Sequence, residues 1–107
     1  MKSLIIRSFV VVLALAFAFS TKSVAADAAA DFKAKCATCH GASSAGDTAM
    51  GKTLKLRDLG SADVQKESDA DLNSAITNGK NKMPKYDGKL TKDQISDLVK
   101  YIRTLKK

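Results

Sequence analysis

Residues 36–40 read Cys-Ala-Thr-Cys-His, and this pentapeptide holds both cysteines and the only histidine of a 107-residue chain. Three chemistries bring thiols and an imidazole this close: a dithiol redox switch, a metal clip, and the covalent attachment of a haem. The surrounding sequence separates them.

A structural zinc site takes four ligands, normally from Cys and His. After Cys36, Cys39 and His40 no Cys or His remains, so the fourth ligand would have to be a carboxylate, which is atypical. A thioredoxin-like dithiol expects Cys-x-x-Cys at a strand–helix junction of a βαβ unit. Here an Ala-rich helical stretch precedes the motif and no alternating strand pattern is present. That reading also leaves His40 and the C-terminal half unexplained. Cys-x-x-Cys-His as a haem c attachment site uses all three side chains. Two thiols add to the two vinyl groups on one side of the porphyrin, and an offset of three presents both sulfurs from one turn. The adjoining imidazole of His40 then lies beneath the ring with a nitrogen free for iron, while Ala37 and Thr38 are spacers.

The N-terminus supports this choice. Lys2 and Arg7 precede an uncharged apolar run, Phe9 to Phe19, and small residues follow at Val24-Ala25-Ala26. This is the pattern of a cleaved secretory signal peptide. The run has 11 residues, whereas a membrane span needs about 20. The expected division is residues 1–26 as signal and 27–107 as one mature domain outside the cytoplasm, in the periplasm or a compartment such as the thylakoid lumen. Disulfides are permitted there, so a Cys36–Cys39 bond also has to be considered.

About 81 residues is close to the lower limit for a self-supporting core. With no Trp, four Phe and two Tyr in the whole chain, a large buried cofactor would supply missing apolar volume. The expected mature domain carries 15 of the 18 Lys and Arg against 11 acids, a net charge of +4. So modest an excess suits acidic protein surfaces better than nucleic acid, which calls for dense basic stripes.

The local signals are helical. The stretch from Asp27 to Cys36 is Ala-rich, with Asp27 as the expected N-cap and Phe32 and Cys36 on one face. Residues 41–60 are rich in Gly, Ser and Asp and read mostly as loop. A short helix is expected from Ser61. A longer one starts at Ser68, passes through Leu72 and Ile76, and stops at Asn78-Gly79. In the last segment, Thr91 and Gln94 form a capping box, and Leu90 and Ile95 are spaced as a hydrophobic staple. Ile95, Leu98, Val99, Ile102 and Leu105 recur at helical spacing. The fold class is therefore all-α, with three or four helices and long loops wrapped around one haem.

With His40 as one axial ligand and no second His, the strong candidates for the other are methionines. Met1 leaves with the signal. Met83 sits between the helix stop at Asn78-Gly79 and Pro84, which biases it toward an extended backbone, and is the preferred ligand. Met50 reads as core filler or a contact with the haem edge. Arg57 is a candidate propionate partner, although a solvated surface role fits it as well.

The stretches Phe32–Gly41, Ile76–Pro84 and Leu90–Leu105 together resemble the class I monohaem c-type cytochromes, over nearly all of the expected mature chain. The resemblance implies thioether links at Cys36 and Cys39, with axial ligation by His40 and Met83. It also implies crossing of the first and last helices, with Ala28 and Phe32 against Leu98 and Tyr101. Two departures stand out. Ala28 occupies a position where Gly is common. The loop after His40 lacks the proline whose carbonyl orients the histidine in many members, so a backbone carbonyl near Ala49 is expected instead.

The expected function is that of a one-electron carrier shuttling between redox proteins, with no catalytic acid or base. Lys80, Lys82, Lys85 and Lys89 surround Met83 and would steer acidic partners such as an oxidase, a photosynthetic centre or a dehydrogenase. A monomer with no permanent membrane anchor is expected once the signal is cleaved. The alternatives are an open-iron haem enzyme or gas sensor of peroxidase-like type, and a haem-free dithiol protein.

Overall fold

The computed structural model describes residues 24–107. The expected signal segment lies outside this range except for Val24–Ala26. Six helices follow in order: α1 Val24–Lys35, α2 Ala37–His40, α3 Ala49–Thr53, α4 Ala62–Gln65, α5 Asp69–Asn78 and α6 Lys92–Thr104. Among the described residues the only β pairings are two isolated bridges, Lys80 with Met83 and Asp87 with Leu90. The chain is all-α.

α1, α5 and α6 are the long helices, with 12, 10 and 13 residues. Two local expectations need correcting. In the full-length, uncleaved chain Asp27 is not an N-cap, because α1 already runs from Val24 and Asp27 lies in its first turn. Ala25 and Ala26 are strong helix formers and carry the helix past it; the carboxylate still favours the positive end of the helix dipole. Residues 41–60 are not loop throughout either. Thr48 is extended, and its Oγ1 accepts from Gly51 N at 2.9 Å, which caps α3.

α6 is the central strut. Thr91 and Gln94 form the expected capping box, with Gln94 N donating to Thr91 Oγ1 at 3.1 Å and Thr91 N donating to Gln94 Oε1 at 2.8 Å. Leu90 and Ile95, the staple pair, are both buried. Ile95, Leu98, Val99 and Ile102 form one apolar face, packed with Phe32 of α1, Val64 of α4, and Leu72 and Ile76 of α5. Each such side chain contributes about 1.5–3 kcal/mol by leaving water. Ala28, 3% exposed, is small enough to let α1 lie close to α6.

Polar clasps fasten the periphery to this strut. Arg103 of α6 donates from Nε to Asp69 Oδ1 at 2.9 Å, and from its two terminal nitrogens to the Gln65 and Glu67 carbonyls. Gln65 Nε2 donates to the carbonyls of Leu59 and Ile102 at 2.8 and 2.9 Å. Together they hold the α4–α5 corner against α6. The Lys107 ammonium closes the end of the chain on Asp58.

Candidate functional site

The Cys36–His40 segment continues α1 as one further turn. Cys36 N donates to Phe32 O at 2.8 Å, and His40 N donates to Cys36 O at 3.0 Å. Residues three apart on such a turn share a face, so the Cys36 and Cys39 sulfurs issue from the same side. Both are free thiols and half-buried. Burial pushes the Cys36 thiol up to about 11, with Asp31 and Cys39 adding to the effect and Lys35 opposing it. A reactive dithiol needs a stabilised thiolate, which means a lowered pKa. Cys36 has the opposite bias.

Burial lowers the His40 pKa below its usual value, so the imidazole is neutral and its lone pair is available to a metal. The ring lies 6.4 Å from that of Phe32. Its Nδ1 is buried without a hydrogen-bond partner. The carbonyl expected near Ala49 does not fill this role. The capped helix α3 draws those carbonyls into its own bonding: Thr48 O accepts from Lys52 N at 2.9 Å, and Ala49 O accepts from Thr53 Oγ1 at 3.0 Å.

The loop after His40 folds back to close the end of this turn. Gly41 N donates to Ala37 O and Gly46 N to His40 O, both at 2.8 Å, and Thr48 Oγ1 donates to Cys39 O at 2.6 Å. These are the carbonyls that a helix end leaves open. A Cβ on Gly51 would stand 2.7 Å from Cys39 O and 2.5 Å from Gly46 O, so only glycine allows this approach.

Met83 lies on a rigid turn. Lys80 and Met83 exchange backbone hydrogen bonds at 3.2 and 2.9 Å, with Asn81 at φ +54° between them. Gly79 has φ +74°, and a Cβ there would meet Met83 O at 2.6 Å. Tyr86 N and Asp87 N then donate to Ile76 O and Thr77 O, which seats the loop on the end of α5. Met83, Cys36 and Ala37 are partly buried, all against the same apolar cluster. The Cys36–His40 turn, the candidate attachment turn, and the methionine turn therefore border one core.

The other sequence candidates are placed differently. Met50 is 51% exposed, so it is not core filler. Arg57 is exposed and paired with Glu67 at 3.4 Å. Lys80, Lys82, Lys85 and Lys89 are all exposed. Sequence reasoning passed over Thr48 and Tyr86. Thr48 carried a visible signal, a capping residue three before a glycine. Tyr86 did not, because its partner is 51 residues away.

Two free thiols on one face, a neutral imidazole directly after them and a thioether bordering the same core form a donor set suited to a covalently held haem. Comparison with known proteins agrees. The family described as cytochrome c oxidase, cbb3-type, subunit III matches residues 23–102. Cytochrome c6 of Nostoc sp. is 39% identical over 89 residues, covering 80% of this chain and 78% of that protein. Cytochrome c6 of Picosynechococcus sp. is 39% identical over 101 residues, covering 85% and 84%. The solved KustC0563 c-type cytochrome superposes with a TM-score of 0.68 at 31% identity, covering 75% of this chain and 98% of that one. The chain belongs to the class I monohaem c-type cytochromes. It is an electron-transfer protein rather than an enzyme, it carries one covalently bound haem c, and its partners are redox proteins.

Proposed function

We propose that the chain is an exported one-electron carrier with a six-coordinate haem, linked through Cys36 and Cys39 and ligated by His40 and Met83. The bound haem supplies an iron that cycles between Fe(II) and Fe(III). The chain's own part is to hold both axial side chains still. His40 stands on a turn closed by Gly41, Gly46 and Thr48, and Met83 on a turn seated on α5. With the ligand set fixed, little rearranges on transfer; thioether ligation and an apolar surround favour the reduced state. The observation that carries this reading is that both turns border one apolar cluster, while the other methionine of the described residues is half exposed.

The signal is cleaved after Ala26 and the mature domain, 27–107, works as a monomer in the periplasm or an equivalent compartment. Among the described residues no helix is long and apolar enough to cross a membrane. Lys80, Lys82, Lys85 and Lys89 flank the Met83 turn and steer it toward acidic faces of donors and acceptors such as an oxidase, a photosynthetic centre or a dehydrogenase. Arg57 is committed to Glu67 and contributes to a propionate only if that exposed pair opens.

Optical spectra of the exported, matured protein test this. A covalent haem with a far-red sulfur-to-iron band in the oxidised state is expected. Met83→Ala should abolish that band and lower the potential, whereas Met50→Ala should leave both unchanged. A high-spin protein that binds carbon monoxide readily would contradict Met83 ligation, and a protein without haem would contradict the whole assignment.

A further inference from the structure

The Met83 turn is tied down unevenly. Gly79 N, Tyr86 N and Asp87 N bond to Ala75 O, Ile76 O and Thr77 O, all at the end of α5. Toward the attachment turn there is a side-chain tie. The Tyr86 hydroxyl donates to Lys35 O at 2.9 Å. This bond joins residues 79–90 directly to the end of α1 that leads into Cys36. Lys35 ends α1 and directly precedes Cys36, and its carbonyl belongs to the group that a helix end leaves without a partner of its own.

We propose that Tyr86 is a positioning residue for Met83: its hydroxyl couples the methionine turn to the attachment turn and sets how firmly the Met83 sulfur stays in place. The inference rests on the ligand reading of Met83 given above. The ring of Tyr86 packs on the same apolar cluster as Met83 and Cys36. A phenylalanine would keep that packing, so the hydroxyl can be removed by itself. The turn then opens from one side only, pivoting on its seat at α5.

An exogenous ligand binds only when the turn is open, so its apparent affinity rises with the open fraction. The loss of one partly exposed hydrogen bond made only in the closed state should raise that fraction about two- to tenfold. The test is imidazole titration of the oxidised holoprotein, followed by loss of the far-red sulfur–iron band. Tyr86→Phe should bind imidazole about two- to tenfold more tightly than wild type, with the band intact before titration. Gln65→Ala is the control. It removes the bonds to Leu59 O and Ile102 O, so it should lower the melting temperature without changing imidazole affinity.

Equal affinity in wild type and Tyr86→Phe, with the band present in both, would overturn the role of Tyr86 alone. So would a gain in Gln65→Ala matching that of Tyr86→Phe for the same loss of melting temperature. If wild type lacks the band and Met83→Ala binds imidazole no more tightly, the ligand reading itself fails and this proposal goes with it.

Discussion

Phe32 meets Tyr101 with ring centroids 5.2 Å apart and planes tilted by 46°. This contact marks the crossing of the first and last long helices, and the Phe32 ring also lies 6.4 Å from that of His40. One ring thus joins the core to the attachment turn. Phe32→Ala should destabilise the protein by about 3–5 kcal/mol, read from urea unfolding. A double-mutant cycle with Tyr101→Ala should leave a coupling of about 0.5–1.5 kcal/mol; additive effects would mean that the rings are neighbours without interacting.

Arg103 holds two backbone carbonyls and a carboxylate with one guanidinium. A lysine retains the charge but has no planar fork and cannot reproduce this geometry. Arg103→Lys should therefore lose nearly as much stability as Arg103→Ala, about 1–3 kcal/mol. The loss should change little with salt, because the carbonyl contacts carry most of it. Full recovery with lysine would assign the effect to charge alone.

Asp58 is held below its usual carboxylate range by the hydrogen bond from Lys107, and by that from Gly60 N. Its folded pKa is lower than its unfolded one, so the clasp stabilises the protein above about pH 4 and is lost as pH falls through the folded value. The Gly60 amide resonance should report a pKa under 3.8, the ordinary value. Asp58→Asn should flatten the acid limb of the stability curve and leave neutral unfolding less affected by removal of Lys107.

Ser44 combines two unfavourable features: φ is +65° in a non-glycine residue, and its hydroxyl is buried without a partner. The backbone is held there by Gly41 O and by Leu59 N. Ser44→Ala removes only the unpaired hydroxyl and should stabilise the protein by about 1 kcal/mol. Ser44→Gly relieves about 1–2 kcal/mol of left-handed strain against a glycine entropy penalty of about 0.5–1 kcal/mol, so it should do at least as well. A lower melting temperature in both variants would reveal a bonded hydroxyl.

The elements that could be read in advance carry their own instructions. Ser68 caps α5, and the Thr91–Gln94 box caps α6, within three residues of the groups they serve. Gly79 ends α5 for an equally local reason, its positive φ. The Cys36–His40 motif is legible because a covalent haem site would draw both thiols and the imidazole from nearly one point in the chain. Errors arose where local signals compete. Asp27 is a good cap, but the alanines before it extend the helix; the glycines of residues 41–60 suggested loop, but Thr48 organises α3 among them.

From the sequence alone come the all-helical class and the pentapeptide that would hold the haem, whereas the crossing of α1 and α6 was implied only by the family resemblance. Helical periodicity, caps and motif spacing are short-range properties of adjacent residues. Only the tertiary structure decided that the Met83 turn and the attachment turn border one apolar cluster, that Arg103 and Gln65 bind the α4–α5 corner, and that Tyr86 reaches Lys35. Those contacts join residues 34 to 51 positions apart. No local pattern specifies them, because such pairs meet only after the apolar faces of α1, α5 and α6 have packed and closed the intervening loops.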